Sequence, residues 1–332
     1  MILAGDIGGT KTNLGMFDLV DGSLESTRQQ SFPSKGHGGL EDILNKFLTD
    51  DARAVTAACF GVAGPVVDGH SVTPNLPWIV DSHSLARMLG LGSVTLLNDL
   101  ESTAYGLAEL KPDELVALNP GTSEGGNAAL IAAGTGLGVA SLFWDGDSFS
   151  PSASEGGHMD LAPRDELEIG LLRFLLKEYR HVSIERVLSG PGLFNIYRFL
   201  SSGGHGEEVP AVRERMERED PSKVISKAAM AGESELCAKA LDMFASFYGA
   251  TAGNVALLLK ATGGVFIGGG IAPKILEKLK DGTFMRAFLD KGRLTPLLET
   301  IRVQVVRNDK TALLGAARVA ARSPEQGRNN NR

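Results

Sequence analysis

Residues 3–17 of the chain read LAGDIGGTKTNLGMF and decide how its N-terminal part folds. An apolar run ends at Asp6, the glycines Gly8 and Gly9 follow, and a second run opens at Thr10. Two apolar runs separated by glycines predict a β-hairpin, and the turn of this hairpin carries a carboxylate and a hydroxyl.

The composition of this turn indicates a site for a metal-bound phosphate. Glycine lets backbone N–H groups approach an anion closely because it has no Cβ. The Asp6 carboxylate would repel a bare phosphate, whereas it fits a Mg²⁺ ion that keeps its water shell and lies between the two groups. The alternative interpretation is an ordinary glycine-rich hairpin without a ligand.

The hairpin pattern occurs a second time at residues 129–143, where apolar runs flank a turn built from Gly134, Thr135, Gly136 and Gly138. The stretch of chain between the two turns is about the size of one small α/β lobe. The repetition predicts a duplicated architecture in which phosphates are held from both sides.

A third glycine cluster follows the apolar residues 265–267. Gly268, Gly269 and Gly270 end this predicted buried strand, and a helical pattern with Pro273 in its first turn comes next. Backbone without side chains at this point can lie flat against a nucleoside.

Other phosphate-binding motifs are absent from the sequence. A Walker A loop needs Gly-Lys followed by Ser or Thr, and no such tripeptide occurs. Val139 stands where the dinucleotide fingerprint Gly-x-Gly-x-x-Gly requires its last glycine, and the protein-kinase signatures His-Arg-Asp and Asp-Phe-Gly are missing. These observations exclude three large classes of nucleotide-binding protein.

Composition narrows the class of protein further. The chain has 332 residues, 43% of them hydrophobic, which is ample for two lobes. The formal net charge is −7 and no basic stripe stands out, so we expect no nucleic-acid partner. The only cysteines, Cys59 and Cys237, form no Cys-x-x-Cys pair, which favours the reducing cytoplasm. We expect neither a signal peptide nor a membrane span.

The order of apolar patterns predicts an α/β fold with two lobes. We expect a small lobe over residues 1–109 that is completed by a C-terminal helix at about 307–322, a large lobe with helical insertions over 110–306, and a disordered polar tail over 323–332. The small lobe should contain strands at 2–6, 12–18, 54–62 and 93–98, and helices at 39–48 and 82–89.

Two segments of the large lobe have distinctive compositions. Residues 201–221 are polar and then charged, which predicts a surface excursion that ends in a solvated helix face. A long helical pattern continues through small residues, among them Gly249 and Gly253, and this predicts close packing on a neighbouring element.

The strand at 93–98 ends in a pair of side chains that suits a substrate hydroxyl. Asn98 can donate and accept hydrogen bonds, whereas an ionised Asp99 only accepts and can take the proton of that hydroxyl. The alternative is that Asp99 is the N-cap of the helix that follows, which does not forbid a catalytic role.

Further polar side chains occur at residues 155–158 and 181–192. Glu155 and His158 flank two glycines, so a sharp turn can point both side chains the same way. His158 is equally consistent with a structural hydrogen bond, and His181 has no metal partners at ligand spacing. Glu185 lies two residues after Ser183 rather than three, so a capping box explains it poorly.

With these motifs in place, residues from about 3 to 320 resemble bacterial glucokinases, which are related to the hexokinases and to actin. The resemblance implies the two-lobed actin-like ATPase fold, with duplicated ribonuclease H-like domains and an active-site cleft between the lobes. It also implies transfer of the γ-phosphoryl group of MgATP to the 6-hydroxyl of D-glucose, and a homodimer. The segment 182–192 is its most specific motif, because few other folds carry such a run.

The resemblance assigns roles to individual positions. Asp99 would be the general base, and Asn98, Glu155, His158 and Glu185 would hold the other sugar hydroxyls. Asp6 would bind Mg²⁺ through water. The implied nucleotide-binding residues are Gly5, Asp6, Ile7, Gly8, Gly9, Thr10, Gly134, Thr135, Gly136, Gly268, Gly269 and Gly270.

Three alternatives stay open at this point. One is a sugar kinase with another hexose or a polyphosphate donor. The second is a non-catalytic sensor of the sister repressor–kinase family, whose opening motif also fits Lys11 and Thr12. Members of that family usually carry a cysteine-rich zinc motif, and its sensors carry a DNA-binding module before the first lobe. We expect neither feature here. The third is an actin-like ATPase without a small acceptor.

Overall fold

The computed structural model of the protein describes residues 1–48, 54–73 and 76–326, with side chains through residue 322. The strands are β1 Ile2–Ile7, β2 Lys11–Val20, β3 Ser23–Pro33, β4 Ala57–Val62, β5 Val66–Val67, β6 His70–Val72, β7 Ile79–Asp81, β8 Thr95–Asn98, β9 Leu115–Asn119, β10 Ala128–Ala133, β11 Leu137–Trp144, β12 Phe149–Ser154, β13 Gly264–Gly268 and β14 Val303–Val306. The α-helices are α1 Leu40–Leu48, α2 Ser82–Leu89, α3 Asp99–Gly106, α4 Glu166–Leu175, α5 Gly190–Ser202, α6 Pro210–Arg218, α7 Pro221–Met230, α8 Glu235–Leu259, α9 Leu276–Lys280, α10 Thr283–Leu289, α11 Thr295–Thr300 and α12 Thr311–Gln326.

The chain forms two compact units. The first contains Met1–Pro112, the short segment Ser150–Ala153 and the chain from Asn308 onward, and the second contains Asp113–Phe149 and Ser154–Arg307. α12 therefore belongs to the same unit as the N-terminal strands.

The first unit is built on a five-stranded sheet of order β3-β2-β1-β4-β8. β1 and β2 form the predicted antiparallel hairpin, in register from Ile2 opposite Phe17 to Ile7 opposite Thr12. β4 and β8 continue the sheet in parallel to β1. The four predicted strands correspond to β1, β2, β4 and β8, and the predicted helices to α1 and α2.

The sequence did not predict β3 or the small antiparallel sheet β5-β6-β7. β3 lies at a sheet edge, and most of its residues are exposed or half-buried, so it lacks the apolar alternation that marks a strand. β5, β6 and β7 have only two or three residues each, too few to show a period.

Apolar side chains cover both faces of this sheet. Residues such as Leu3 and Ile7 contribute to one buried cluster with α1 and α2. Ile2 and Ala4 point the opposite way, into a cluster with α12. Successive strand residues alternate between faces, so one strand serves both clusters.

Glycine allows α3 and α12 to cross at very close range. A Cβ at Gly106 would overlap the carbonyl oxygen of Thr311, and one at Gly315 would overlap the carbonyl oxygen of Ser102. Ser102 also donates its hydroxyl to the carbonyl of Ala312 at 2.8 Å. The position of α3 in the first unit therefore depends on backbone contact with α12.

The second unit repeats the same arrangement of strands. Its strands β11, β10, β13, β14 and β9 lie side by side in that order, and β10 and β11 form the second predicted hairpin. β13 runs parallel to β10, and β14 runs parallel to β13. An antiparallel hairpin followed by two parallel strands is thus common to both units, as the duplicated pattern of the sequence predicts.

The long helix α8 forms much of the core of the second unit, with buried residues along its whole length. A Cβ at Gly249 would lie 2.0 Å from the carbonyl oxygen of Phe284, and one at Gly253 would lie 2.5 Å from the carbonyl oxygen of Phe288. Both carbonyls belong to α10, so the predicted close packing of α8 on a neighbour is confirmed.

The predictions for two irregular segments have different outcomes. The predicted excursion 201–221 contains α6, whose residues are mostly exposed, so the predicted solvated helix face is confirmed. Pro210 and Pro221 each begin a helix, so the segment also includes the first residue of α7. The predicted disordered tail 323–332 overlaps α12, which extends to Gln326. Residues 327–332 lie outside the described residues. Among the helices described, none is long and apolar enough to cross a membrane.

Candidate active site

The first glycine turn joins β1 to β2 and is held by its own backbone and by the chain after β3. The N–H of Gly8 donates to the carbonyl of Lys11 at 3.0 Å. Ser34 donates its hydroxyl to the carbonyl of Gly8 at 2.6 Å and its N–H to the carbonyl of Thr10 at 2.9 Å. Thr10 itself is exposed. The turn is therefore rigidly anchored while its tip faces solvent.

Asp6 carries the carboxylate next to this turn. Its Oδ2 accepts a hydrogen bond from the Asn13 side chain at 3.0 Å. Burial raises the pKa of Asp6 to about 6, the Asn13 hydrogen bond opposes that rise, and the nearby Asp99 carboxylate adds to it. The site thus contains negative charge that the described protein groups compensate only in part, which is the environment that attracts a cation.

Two other predicted residues of this segment lie inside β1. Gly5 is buried, and a Cβ there would overlap the ring of Phe60. Ile7 is fully buried in the core, and its carbonyl accepts from the N–H of Ala63 at 2.9 Å. Both residues pack the strand that leads to the turn.

Asn98 and Asp99 lie where β8 passes into α3. Asn98 is the N-cap of α3, because its Oδ1 accepts from the N–H of Leu100 at 2.9 Å. Its amide also donates to the carbonyl of Gly64 at 3.0 Å. The alternative interpretation that Asp99 is the N-cap is therefore wrong, since Asp99 is the first residue of the helix itself.

The carboxylate of Asp99 is held in place by the start of its own helix. Its Oδ1 accepts from the N–H of Leu100 at 2.9 Å. Burial raises the pKa of Asp99, and the N–H of Leu100 partly offsets this by stabilising the ionised form. A half-buried carboxylate with a raised pKa at the carboxyl edge of a parallel sheet has the properties of a general base.

The second glycine turn borders a cavity of about 690 Å³ in the second unit, a volume typical of small-molecule sites. The residues that line it are Gly134, Thr135, Gly190, Pro191, Leu193, Phe194, Asp220, Pro221, Ser222, Lys223, Ser226, Gly270, Ile271, Lys274 and Ile275. The cavity therefore brings the second turn together with Gly270 of the third glycine cluster.

The N-terminus of α5 lies directly against the second turn. The N–H of Gly190, the first residue of α5, donates to the carbonyl of Gly134 at 2.8 Å. The unpaired N–H groups and positive dipole end of a helix favour an anion at such a place. Lys223 and Lys274 add positive charge to the lining. This end of the cavity suits phosphate.

The third glycine cluster has a backbone conformation that requires glycine. Gly269 has φ +81°, and a Cβ there would overlap the carbonyl of Ala133. Gly270 has open space where a Cβ would lie and lines the cavity, whereas Gly268 is buried at the end of β13. Ile271, Ile275 and Phe194 supply apolar surface nearby.

Glu185 contacts the second turn directly. Its Oε2 accepts from the N–H of Leu137 at 2.9 Å and lies 2.6 Å from the position of a Cβ at Gly136. Glu185 is half-buried in a short 3₁₀ turn, Ile184–Arg186, which Ser183 precedes without a side-chain cap. The capping box is thus absent, and the carboxylate belongs to the turn between β10 and β11.

The segment with Glu155 and His158 adjoins the same place. Gly156–His158 forms a 3₁₀ turn, and a Cβ at Gly157 would overlap the carbonyl of Leu137. Glu155 and His158 are both exposed. The two segments are joined through Asp160 and Ser183, which form an isolated β-bridge. The structure therefore brings Glu155, His158 and Glu185 close to the start of β11.

Proteins of one known family are similar to the chain over nearly its whole length. A family profile described as glucokinase matches residues 3–323. A glucokinase of Nostoc sp. (strain PCC 7120) is 39% identical over 339 aligned residues, which cover 97% of this chain and 99% of that protein. The chain belongs to the glucokinase family.

Solved glucokinase structures have the same fold. The crystal structure of a glucokinase from an Antarctic psychrotroph superposes with a TM-score of 0.83 at 31% identity and covers 96% of this chain and 98% of that one. A glucokinase of the ROK family from Streptomyces griseus, solved in complex with glucose and AMPPNP, superposes with a TM-score of 0.64 at 22% identity, covering 96% of this chain and 99% of that one. This glucokinase-family protein has the two-lobed actin-like ATPase fold.

Sequence reasoning missed part of the cavity of this glucokinase-family chain. The first residues of α7 line it, and Asp220 caps that helix by accepting from the N–H of Ser222 at 2.9 Å. Hydrogen bonding by Ser222 lowers the pKa of Asp220, so this carboxylate stays ionised. The signal was available in Asp220-Pro221, an N-cap followed by proline, but the mixed charges before it indicated only a solvated helix.

The described residues contain no cluster of metal-ligating side chains around His181. His181 donates or accepts through Nε2 at 2.8 Å from Oδ1 of Asp160, so it forms a surface contact. Within residues 1–48, 54–73 and 76–326, no group of three or more His, Cys, Asp or Glu side chains is arranged to hold a metal ion.

Proposed function

We propose that this protein is a glucokinase that transfers the γ-phosphoryl group of MgATP to the 6-hydroxyl of D-glucose. The observation that carries this proposal is the cavity formed by the second glycine turn, the N-terminus of α5 and Gly270. Phosphate-binding and nucleoside-binding features meet there, and Glu185 contacts the same turn. The Streptomyces griseus relative, solved with glucose and AMPPNP, supports the choice of both substrates.

The nucleotide would bind mainly through backbone. Gly134, Thr135 and the start of α5 would hold phosphate oxygens, and the apolar surface of Phe194 and Ile271 would hold the base. Gly8, Gly9 and Thr10 would meet the terminal phosphates from the first hairpin, and Gly136, Gly268 and Gly269 would shape the backbone around the nucleotide.

The residues present fit a magnesium ion. Asp6 offers one carboxylate. Burial and the Asp99 carboxylate disfavour its ionised form, so a cation next to it would lower the free energy of the ionised state. Mg²⁺ commonly uses one or two carboxylates and keeps several waters, which matches a single aspartate. Bound there with ATP, it would neutralise charge on the transferring phosphoryl group.

The reaction would then depend on how the two substrates are positioned and on the transfer of one proton. Asp99 would accept the proton of the 6-hydroxyl as that oxygen forms its bond to the γ-phosphorus and the bond to the β,γ-bridging oxygen breaks, releasing ADP. Asn98, Glu155, His158 and Glu185 would bind the other hydroxyls and orient the sugar. Orientation of this kind supplies a large part of the rate enhancement in phosphoryl transfer.

A coupled assay of glucose-dependent ADP release with MgATP tests the proposal. We expect glucose to be phosphorylated efficiently and mannose, fructose and N-acetylglucosamine less so. A chain that binds glucose without releasing ADP would instead be a sugar sensor. Activity with polyphosphate in place of ATP would identify a different donor.

We also propose that the protein acts in the cytoplasm as a homodimer, in glycolysis. The two cysteines are buried and unpaired, which agrees with a reducing compartment. Light scattering of the purified protein would give the mass of the particle, and a monomer at micromolar concentration would contradict the dimer.

A further inference from the structure

Tyr248 is buried in the middle of α8, and its hydroxyl makes three contacts with backbone. It accepts a hydrogen bond from the N–H of Ala133 at 3.2 Å. It lies 3.2 Å from the carbonyl oxygens of both Ile131 and Gly268, to either of which it can donate. Burial raises the pKa of the Tyr248 hydroxyl, so its proton is retained.

These contacts occur where the regular ladder between two parallel strands ends. The ladder between β10 and β13 ends with Ala132 opposite Gly268. Beyond this pair, β10 enters the turn at Gly134 and β13 enters the cluster at Gly269. The Tyr248 hydroxyl therefore satisfies backbone groups of both strands at the end of their regular ladder.

Packing alone does not explain a tyrosine at this position. The ring contacts Phe244 and Phe284 edge-on, with centroids 6.1 and 5.8 Å away, and a phenylalanine ring would make the same contacts. Burying a hydroxyl costs free energy unless its hydrogen bonds are made. The hydroxyl therefore has a specific function in joining the two strand ends.

We propose that Tyr248 is a positioning residue of the nucleotide site, which holds Gly134 and Gly270 at the separation that the nucleotide requires. This inference rests on the proposed function, since it assumes that the cavity binds MgATP. Tyr248 itself does not line the cavity. Its effect would reach the nucleotide only through the ends of β10 and β13.

The test is Tyr248→Phe, which removes one oxygen and keeps the ring. We expect the Kd and KM for MgATP to rise about tenfold, because the N–H of Ala133 loses its partner and the turn shifts. The Kd for glucose should rise less than that for MgATP, because the proposed sugar ligands Asn98 and Asp99 belong to the first unit, although Glu185 accepts from the N–H of Leu137 in the turn. Calorimetry gives both affinities without requiring turnover.

Two control variants separate the hydroxyl from general effects. Tyr197→Phe removes a hydroxyl that lies 3.3 Å from Glu208, away from both strand ends. Phe244→Leu weakens the packing around the Tyr248 ring and keeps its hydroxyl. We expect both to bind MgATP as wild type does, even if their melting temperatures fall.

The possible results distinguish the positioning role of Tyr248 from the proposed function. Unchanged MgATP affinity in Tyr248→Phe, equal loss of both ligands, failure to fold, or the same MgATP defect in Phe244→Leu would each overturn the positioning role. A wild-type chain that binds MgATP but does not phosphorylate glucose would refute the proposed function. The effect of Tyr248→Phe on MgATP affinity could still be interpreted in that case. A wild-type chain that binds no MgATP would refute both.

Discussion

The side-chain amide of Asn13 donates a hydrogen bond to Oδ2 of Asp6 across the first hairpin, at 3.0 Å. Ser31 in turn donates its hydroxyl to the amide oxygen of Asn13 at 2.7 Å, so β1, β2 and β3 share one polar chain. This chain orients the Asp6 carboxylate toward a fixed position. Burial nevertheless outweighs the hydrogen bond and raises the pKa of Asp6 to about 6.

Replacing Asp6 by Asn should stabilise the metal-free protein at neutral pH. The pKa of Asp6 rises from 3.8 to about 6 on folding, so wild type loses stability as pH rises through that window, and Asn has no proton to lose. We expect a gain on the order of 1–3 kcal/mol in the free energy of unfolding near pH 7. Urea denaturation at several pH values measures it, and a gain that persists undiminished below about pH 4 would contradict this account.

Replacing Asp99 by Asn should abolish most catalysis while glucose still binds. The amide keeps the size of the side chain and its contact with the start of α3 but cannot accept the substrate proton. We expect kcat to fall by about 10²–10⁴, the usual contribution of a general base, with glucose affinity within about threefold of wild type. Steady-state kinetics and calorimetry measure the two quantities.

Asp21→Asn is the matched control for this variant. Asp21 is exposed in the turn between β2 and β3 of the same unit, and asparagine tolerates its φ of 49°. It should leave kcat unchanged. An Asp99→Asn enzyme with nearly full activity would show that another group accepts the proton.

Replacing Glu185 by Gln should weaken glucose binding more than it disturbs the second turn. The Gln carbonyl can still accept from the N–H of Leu137, which Glu185 contacts at 2.9 Å, but the charge that strengthens a hydrogen bond to a sugar hydroxyl is lost. We expect the Kd for glucose to rise roughly tenfold. Titration calorimetry with Glu178→Gln as the control, a residue paired with Arg198, would decide, and unchanged glucose affinity would remove Glu185 from the site.

Replacing Gly315 by Ala should destabilise the first unit strongly. A Cβ there would overlap the carbonyl of Ser102 and force α3 and α12 apart. We expect a loss of more than about 2 kcal/mol, as for overpacked core positions. Gly92→Ala is the control, since a Cβ at Gly92 meets nothing within 4 Å and should change the melting temperature little. Equal melting temperatures for the two variants would refute the close crossing.

Local sequence pattern was sufficient for the two hairpins, the parallel strands after them and the amphipathic helices. In each case the signal is a short-range period or a glycine at a turn, and backbone geometry converts it directly into an element. Where the period is missing the prediction failed, as at β3. The roles of the site residues, from Asp6 to Glu185, stay predictions that the variants above test.

Contacts between residues far apart in the chain could not be predicted from these local patterns. That the start of α7 borders the cavity and that Tyr248 joins two strand ends follow only from how the helices pack on the sheets. Each contact depends on which surfaces meet once the cores are buried. The residues next to a position in the sequence do not specify those surfaces. The sequence by itself determined where the glycine turns lie. Packing between distant parts of the chain determined which residues surround them.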